Sequence, residues 1–294
     1  MDNPQFRSGF VTILGKPNTG KSTLMNRLIG EKLSITSPKP QTTRYNIKGI
    51  LNRDDCQIVF IDTPGYLKPR YKLQEKMQDL WSESYKDVDL ILFMSDIISF
   101  PTDYDLEVLE LLKNIPIPQI AVFNKIDLQK DYSREFFINQ LPESCSKAFF
   151  ISATRGDGVP ELMEAMLQFI PYHPPYYSEE QLSDLPMRFF AQEFIREAIF
   201  NYFSQEIPYS TAVLVEKFKE LDDKIHIDAV IWLERESQKP IIIGKNGAGL
   251  AKIRDYAEQQ LTNFMGVPVM VHLWVKFKPK WRKKPSDLKE LGFK

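Results

Sequence analysis

The segment that decides the fold of the first half of the chain is Gly15-Lys16-Pro17-Asn18-Thr19-Gly20-Lys21-Ser22. It follows an apolar run, residues 10–14, and precedes a helical pattern over residues 24–29. A GxxxxGK[ST] loop in that context points backbone N–H groups into a concavity at the positive end of a helix, where nucleotide phosphates bind. We predict a phosphate loop that extends to Thr23, with Lys21 at the β- and γ-phosphates and the Ser22 hydroxyl on Mg²⁺. The motif alone leaves a plain tight turn as the alternative.

A second polar turn ends another apolar run. The β-branched and aromatic residues 58–61 lead into Asp62, Thr63, Pro64 and Gly65. An aspartate at a strand end beside a phosphate loop can hold Mg²⁺ through water, and the Gly65 N–H can approach a γ-phosphate because no side chain intervenes. A capped Pro-Gly turn explains this tetrapeptide equally well when it is taken alone.

Two further strand-like runs end in groups that suit a guanine base. Residues 120–123 precede Asn124-Lys125-Ile126-Asp127, and residues 149–151 precede Ser152-Ala153-Thr154. The Asp127 carboxylate can accept from N1–H and the 2-amino group of guanine, whereas adenine has an acceptor at N1 and no 2-amino group. We expect Asn124 on the N7 side, tied to the phosphate loop, the Lys125 stem against the base, and the Ala153 N–H at O6.

These four motifs, in this order, resemble the signature of the Ras-like, translation-factor-related GTPases over residues 5–170. The resemblance implies a mostly parallel α/β sheet that binds GTP, GDP and Mg²⁺. A switch threonine is expected within Gln41-Thr42-Thr43-Arg44. The match to related Thr-Thr-Arg GTPases favours Thr43 as the residue that completes the Mg²⁺ shell and contacts the γ-phosphate, with Thr42 as the alternative.

The residue after Gly65 is Tyr66, where Ras-like enzymes carry the glutamine that orients the attacking water. Together with Asn18, this resembles the GTPases in which a monovalent cation, K⁺, stabilises the developing charge. Slow intrinsic hydrolysis that waits for a partner is the competing interpretation, and both remain open at this point. The expected catalytic groups are Asn18, Lys21, Thr43 and Gly65.

The composition changes after Ile170. Residues 171–185 are rich in proline and interrupt helical periodicity, which is typical of a semi-rigid linker. The predicted domains are therefore residues 1–170 and 186–294. Strands alternate with helices in the first, whereas the second has the order helix, strand, strand, helix pair, strand, which predicts a smaller α+β domain.

A glycine turn, Gly244-Lys245-Asn246-Gly247, lies inside that helix pair. Two glycines at this spacing let the backbone approach a sugar-phosphate chain, which is how KH domains clamp about four nucleotides of single-stranded RNA. The flanking order of elements matches the type II KH arrangement. A bare GxxG is more often a plain turn, so the interpretation depends on this flanking pattern.

Charge also indicates a polyanionic partner for the C-terminal end. Residues 239–294 carry 12 basic and 4 acidic residues, net +8, although the whole chain has a net charge of −1. Such asymmetry is typical of a nucleic-acid contact, while a solvated basic tail is the alternative. Trp274 and Trp281 lie among these lysines and can stack on bases or pack against the sheet. The predicted RNA-binding residues are Gly244, Lys245, Asn246, Gly247, Lys252, Trp281, Arg282 and Lys283.

A GTPase domain followed by a KH domain resembles the Era family, and the resemblance covers essentially the whole chain. It implies hydrolysis of GTP to GDP and phosphate at a slow intrinsic rate, binding to the 3′ end of 16S ribosomal RNA, and a role in assembly of the 30S ribosomal subunit. It also implies a cytoplasmic monomer, with peripheral association with the inner membrane in some members. Two other classes remain open: a signalling or membrane-associated GTPase whose C-terminal domain docks proteins, and a kinase or ATPase.

Composition agrees with an intracellular protein of two domains. The chain has 294 residues, of which 43% are hydrophobic, so it can bury two separate cores. Cys56 and Cys145 are too few for a disulfide framework. The histidines are scattered, and we expect His226 and His272 to be plain surface positions on strands.

Overall fold

The structure, a computed structural model, describes residues 6–293. Residues 1–5 and 294 of the two predicted domains lie outside this range. The described residues form two compact units, the first made of residues 6–68 and 77–184 and the second of residues 69–76 and 185–293. Within the described range, no helix has both the length and the apolar character needed to cross a membrane.

The first unit is built on a six-stranded sheet, with the order β2-β3-β1-β4-β5-β6. Only β2 is antiparallel to its neighbour. The central strands β3, β4 and β5 are buried along their whole length, because a parallel sheet that is covered on both faces requires nearly continuous apolar runs. This confirms the predicted mostly parallel α/β class. The strands are β1 (Arg7–Leu14), β2 (Ile47–Asn52), β3 (Cys56–Asp62), β4 (Leu90–Asp96), β5 (Gln119–Asn124) and β6 (Cys145–Phe150).

Five helices accompany these strands in the chain. The first begins directly after the phosphate loop and ends at Gly30, whose left-handed backbone (φ 85°) lets its N–H donate to the Asn26 carbonyl. An aromatic core that includes Phe93, Phe100, Phe123 and Phe137 packs against the sheet. The helices are α1 (Lys21–Ile29), α2 (Lys72–Glu83), α3 (Asp103–Leu112), α4 (Arg134–Ile138) and α5 (Val159–Leu167).

The predicted linker differs from the structure. Residues 171–184 belong to the first unit and run along its edge, where the Ser8 N–H donates to the Pro171 carbonyl and the Ile50 N–H donates to the Leu182 carbonyl. The Gln57 side chain also binds the backbone of Tyr177. The bond from Ile50 occupies a backbone N–H of edge strand β2 that would otherwise be open to another chain.

The second unit contains a three-stranded sheet with the order β7-β8-β9, in which β7 is antiparallel and β9 parallel to β8. Helices α6 and α9 pack on each other and against the sheet, which buries Ile227, Ala229 and Ile231 of β8. This confirms the predicted α+β KH fold. The elements are α6 (Met187–Tyr202), α7 (Ile207–Ser210), β7 (Thr211–Glu220), β8 (Ile225–Leu233), α8 (Lys239–Ile243), α9 (Ala248–Met265), β9 (Val269–Phe277) and α10 (Pro285–Glu290).

The basic C-terminal segment is folded, unlike the solvated tail that the sequence left as the alternative. Residues 281–283 form a 3₁₀ turn, and α10 follows it. Apolar side chains of this segment are buried: Trp281, Leu288, Leu291 and Phe293. The lysines are therefore displayed on an ordered surface.

Candidate nucleotide site and RNA interface

The four predicted nucleotide motifs follow β1, β3, β5 and β6. These strands are parallel, so their carboxyl ends lie at one edge of the sheet, where α/β proteins bind nucleotides. The structure therefore brings the four motifs together. A cleft opens there, and its lining includes Asn18, Lys21, Ser22, Thr43 and Gly65.

Three glycines in this region leave no room for a side chain. A Cβ on Gly15 would lie 2.0 Å from the Met94 carbonyl oxygen, and one on Gly20 would lie 2.3 Å from Asn124 Nδ2. A Cβ on Gly65 would meet the Pro17 backbone nitrogen at 2.6 Å, so the turn after β3 packs directly on the phosphate loop. Glycine is therefore required at these three positions by packing within the protein itself.

Lys21 is buried beneath the loop. Its Nζ donates to the Lys16 carbonyl at 2.8 Å and to the Gly15 carbonyl at 3.3 Å. Burial lowers the pKa of Lys21 to about 8, although the nearby Asp62 carboxylate acts in the opposite direction. A buried ammonium that is bonded mainly to carbonyls favours the arrival of an anion.

Three oxygen-bearing side chains meet at the start of α1. Ser22 Oγ donates to Asp62 Oδ2 at 2.6 Å and lies 2.9 Å from Thr43 Oγ1. The Thr42 hydroxyl instead donates to the Lys39 carbonyl at 2.6 Å. The structure thus places Thr43, and not Thr42, in this cluster.

Asp62 is fully buried, and burial raises its pKa while Ser22 and Lys21 act to lower it. Its Oδ1 has no hydrogen-bond partner among residues 6–293. Converging hydroxyls beside an unsatisfied buried carboxylate oxygen fit a hard cation such as Mg²⁺, which prefers oxygen ligands.

Asn124 joins two of the loops. Its Nδ2 donates to the Thr19 carbonyl at 2.8 Å, and its Oδ1 accepts from the Ala153 N–H at 2.8 Å. The expected contact between Asn124 and the phosphate loop is present. The Ala153 N–H, which was expected at the guanine O6, instead donates to Asn124. Lys125 Nζ lies 3.3 Å from Asp96 Oδ2. The Asp127 side chain, two residues further along the loop, is half-buried.

Several predicted residues turn their side chains away from the cleft. Lys16 pairs with the fully buried Asp105 at 2.6 Å, and the Thr63 hydroxyl donates to the Ile13 carbonyl at 2.7 Å. Ser152 Oγ accepts from the Arg155 N–H at 3.1 Å. The side chains of Lys16, Thr63 and Ser152 are therefore engaged within the protein, whereas their backbones remain available to a nucleotide.

Tyr66 also faces away from the phosphates. Its hydroxyl donates to Glu107 Oε2 at 3.2 Å, and its ring packs edge-on against Trp81 at 5.1 Å. In this arrangement the side chain belongs to the aromatic core. It therefore offers no substitute for the missing glutamine.

Two supporting side chains carry no signal in the sequence that predicts their role. Arg27 of α1 donates to the carbonyls of Ala153 and Thr154 and so holds the loop after β6. Asp105 anchors Lys16 across a separation of 89 residues. The Thr102-x-x-Asp105 spacing signals a helix start, and the structure has a capping box there, but no spacing reveals that Asp105 also binds the phosphate loop.

The predicted RNA clamp is an exposed turn between α8 and α9. The backbone is left-handed at Gly244 (φ 72°), Asn246 (φ 53°) and Gly247 (φ 81°), and the side chains of Lys245 and Asn246 are exposed. A Cβ on Gly247 would meet no atom within 4 Å. Open space in front of this glycine, at the start of a long helix, is suited to a phosphate backbone.

The RNA-binding residues predicted near the C-terminus fall into two groups, exposed side chains and side chains that are held within the protein. Lys252 and Lys283 are exposed, whereas Arg282 donates to Glu234 and stacks its guanidinium over the Tyr71 ring. Trp281 is fully buried, with its Nε1 donating to the Ser210 carbonyl at 2.9 Å. This corrects the assignment of Trp281 as an RNA contact, because a base could stack on it only if this segment unfolded.

Comparison with known proteins agrees with this geometry. Residues 10–125 match the family described as "50S ribosome-binding GTPase", and residues 206–282 match the KH domain family. The fold and the site thus define a GTPase, a P-loop enzyme that hydrolyses GTP, with a C-terminal KH RNA-binding domain.

The curated relatives narrow the family. The chain is 44% identical to GTPase Era of Geotalea uraniireducens, covering 100% of both chains, and 44% identical to GTPase Era of Clostridium botulinum strain Hall, covering 98% of this chain and 99% of that protein. This chain belongs to the Era family of GTPases.

Two solved structures are similar over nearly the whole chain. An Aquifex aeolicus Era variant bound to GDP and aluminium fluoride has a TM-score of 0.94, and Era bound to MgGDPNP and nucleotides 1506–1542 of 16S ribosomal RNA has a TM-score of 0.93. Each is 36% identical, and the match covers 98% of this chain and 99% of the other.

Proposed function

We propose that this GTPase binds the 3′ end of 16S ribosomal RNA through its KH domain and acts in assembly of the 30S ribosomal subunit, with GTP as the switch. The observation that carries the proposal is the exposed Gly244–Gly247 turn, with left-handed backbone and open space at Gly247. The similarity to Era bound to 16S ribosomal RNA nucleotides supports this target.

The RNA contact that we propose has two parts. The Gly244–Gly247 backbone lies along the sugar-phosphate chain, and exposed Lys245, Lys252 and Lys283 neutralise phosphates. Arg282 contributes a guanidinium that is held in a fixed position, since Glu234 and Tyr71 already bind it. Trp281 is buried and stabilises the turn that carries Arg282 and Lys283.

In the nucleotide site, we propose that the phosphate-loop N–H groups and Lys21 bind the phosphates, with the Gly65 N–H at the γ-phosphate. Asp127 accepts from the guanine N1–H and 2-amino group. Ser22, Thr43 and, through water, Asp62 hold Mg²⁺, which supplies positive charge to the phosphate oxygens when it is bound. Position 66 carries no residue that orients water, so we expect a slow intrinsic rate.

We also propose that Asn18 helps to hold K⁺ beside the phosphates. Asn18 Nδ2 donates to the Pro38 carbonyl at 2.8 Å, which joins the phosphate loop to the segment that leads to Thr43. A cation there would meet the charge that an arginine finger otherwise stabilises. The competing proposal is activation by a partner.

For localisation we propose a cytoplasmic monomer that contacts the inner membrane peripherally. The support is the family resemblance and the net charge of +8 over residues 239–294, because basic segments are attracted to anionic leaflets. Flotation with anionic and neutral vesicles tests this. Equal recovery with both kinds of vesicle contradicts the membrane proposal.

The experiment for the RNA proposal compares two glycines at opposite ends of α9. Gly247 and Gly266 both have left-handed backbones, φ 81° and 72°, and a Cβ on either would meet no atom within 4 Å. Gly247→Asp and Gly266→Asp therefore impose similar backbone strain and the same added charge. Only the first puts that charge where the RNA backbone is expected.

We expect Gly247→Asp to lose binding to an RNA with the sequence of the 16S 3′ end, while Gly266→Asp retains it. GTP binding should persist in both variants, because the nucleotide site lies in the first unit. If both variants bind RNA like the parent, the turn is structural and the RNA proposal fails.

A further inference from the structure

The outer face of the second unit's sheet carries a cluster that neither GTP binding nor the RNA proposal uses. His226 and Asp228 of β8 lie two residues apart, and His272 of β9 is the register partner of Asp228. Alternate residues of a strand point to opposite faces. Because Ile227 and Ala229 face the helices, His226 and Asp228 project from the opposite face of the sheet.

The three side chains converge on one oxygen. Asp228 Oδ1 lies 3.8 Å from His226 Nδ1 and 3.6 Å from His272 Nδ1. Candidate ligand atoms of the three residues all lie within 4.8 Å of one another. Two ligands at about 2.1 Å from a tetrahedral zinc ion are separated by roughly 3.4 Å, so small side-chain rotations would suffice to bind one ion.

The surroundings of the Asp228 carboxylate favour a bound cation. Its Oδ1 is buried and has no hydrogen-bond partner among the residues that the structure describes. The other oxygen, Oδ2, lies 3.3 Å from Lys217 Nζ, on a side chain that is 65% exposed and can rotate into water. The oxygen between the imidazoles is therefore the one that lacks a hydrogen bond, and a buried carboxylate oxygen without one is costly.

We propose that His226, Asp228 and His272 bind one divalent transition-metal ion of the zinc type. Two imidazoles and one carboxylate suit Zn²⁺ and its neighbours, whereas Mg²⁺ and Ca²⁺ prefer sites made of oxygen alone. The ion would join β8 to β9 and stabilise the second unit. At a free concentration of 100 times Kd it would lower the unfolding constant of that unit about 100-fold.

The test uses the full chain, saturated with GDP and Mg²⁺ so that the Ser22, Thr43 and Asp62 cluster is occupied. Zn²⁺ is titrated by calorimetry into the parent and into His226→Ala, His272→Gln and Asp228→Asn. The matched control is His173→Ala, since His173 is an exposed histidine of the first unit that stacks on Tyr176.

We expect one Zn²⁺ per parent chain with a Kd below about 10 μM, a loss of at least about tenfold in each cluster variant, and no change in the control. Trp274 provides an independent readout, because its ring lies 6.2 Å from the His272 ring. Cu²⁺ should quench fluorescence in the parent, and Trp274→Phe should remove most of the quenched signal. The proposal is overturned if the parent binds no Zn²⁺ in this range, or if His173→Ala weakens binding as much as the cluster variants do.

Discussion

The buried ion pair between Lys16 and Asp105 offers a sharp test of how the phosphate loop is held. Asp105 is fully buried and accepts from Lys16 Nζ at 2.6 Å, Ser95 Oγ at 2.7 Å, Thr102 N at 2.8 Å and Thr102 Oγ1 at 2.7 Å. In Asp105→Asn the amide oxygen can take the place of Oδ2, which accepts from Lys16 and Thr102, and the NH₂ group can donate to Ser95. The loss is therefore mainly the charge that balances the Lys16 ammonium.

Removing one partner of a buried pair costs about 3–5 kcal/mol, and the retained hydrogen bonds favour the lower end. We expect Asp105→Asn to lower the free energy of unfolding of the first unit by about 3 kcal/mol. Lys16→Met should cost less, since Asp105 keeps three other donors. The double variant should lose less than the sum of the two, because it leaves no unpaired ammonium.

The assay is native-state hydrogen exchange of nucleotide-free protein, read at β1 and β3, with β8 as an internal reference in the second unit. Asp184→Asn is the matched control, since it breaks the Lys48–Asp184 pair, which has a similar length of 2.7 Å but lies at the surface. Exposed pairs contribute at most about 1 kcal/mol. If Asp105→Asn costs no more than Asp184→Asn, the reasoning about the buried pair is refuted.

Four further outcomes can be checked. Asp127→Asn should weaken GTP binding by about 1–3 kcal/mol and favour xanthosine triphosphate, because the guanine N1–H would then face a donor; unchanged GTP affinity in a filter-binding assay would contradict the base assignment. Hydrolysis should be faster in K⁺ than in Na⁺, and Asn18→Ala should erase the difference; equal parent rates favour activation by a partner. GDP binding at pH 8.5 should take up protons, because burial lowers the pKa of Lys21 to about 8 and bound phosphates favour its charged form; calorimetry in buffers of different ionisation enthalpy measures this, and zero uptake would refute it. Changing Lys280, Lys283 and Lys284 to Gln should reduce the slope of log affinity for single-stranded RNA against log salt by about 0.7 for each phosphate that these lysines no longer neutralise; an unchanged slope places the RNA elsewhere.

The order of local motifs was sufficient to predict much of this protein. Gly15–Ser22, Asp62–Gly65 and Asn124–Asp127 each follow an apolar run, and parallel strands bring such turns to one sheet edge whatever the loops between them. The Gly244–Gly247 turn could likewise be predicted from its flanking elements. In these cases the signal is short-range, because strand, turn and helix formation depend on adjacent residues.

Tertiary structure alone decided which side chains turn toward each other. The choice of Thr43 over Thr42 depends on how residues 39–43 meet α1, and the roles of Arg27 and Asp105 depend on partners that are distant in the chain. The sequence left two roles open for Trp281, and in the structure it is a core residue whose Nε1 donates to the Ser210 carbonyl of α7. His226 and His272 looked scattered, yet strand register places both beside Asp228. Local patterns determine the elements, whereas packing between elements determines which polar groups find partners.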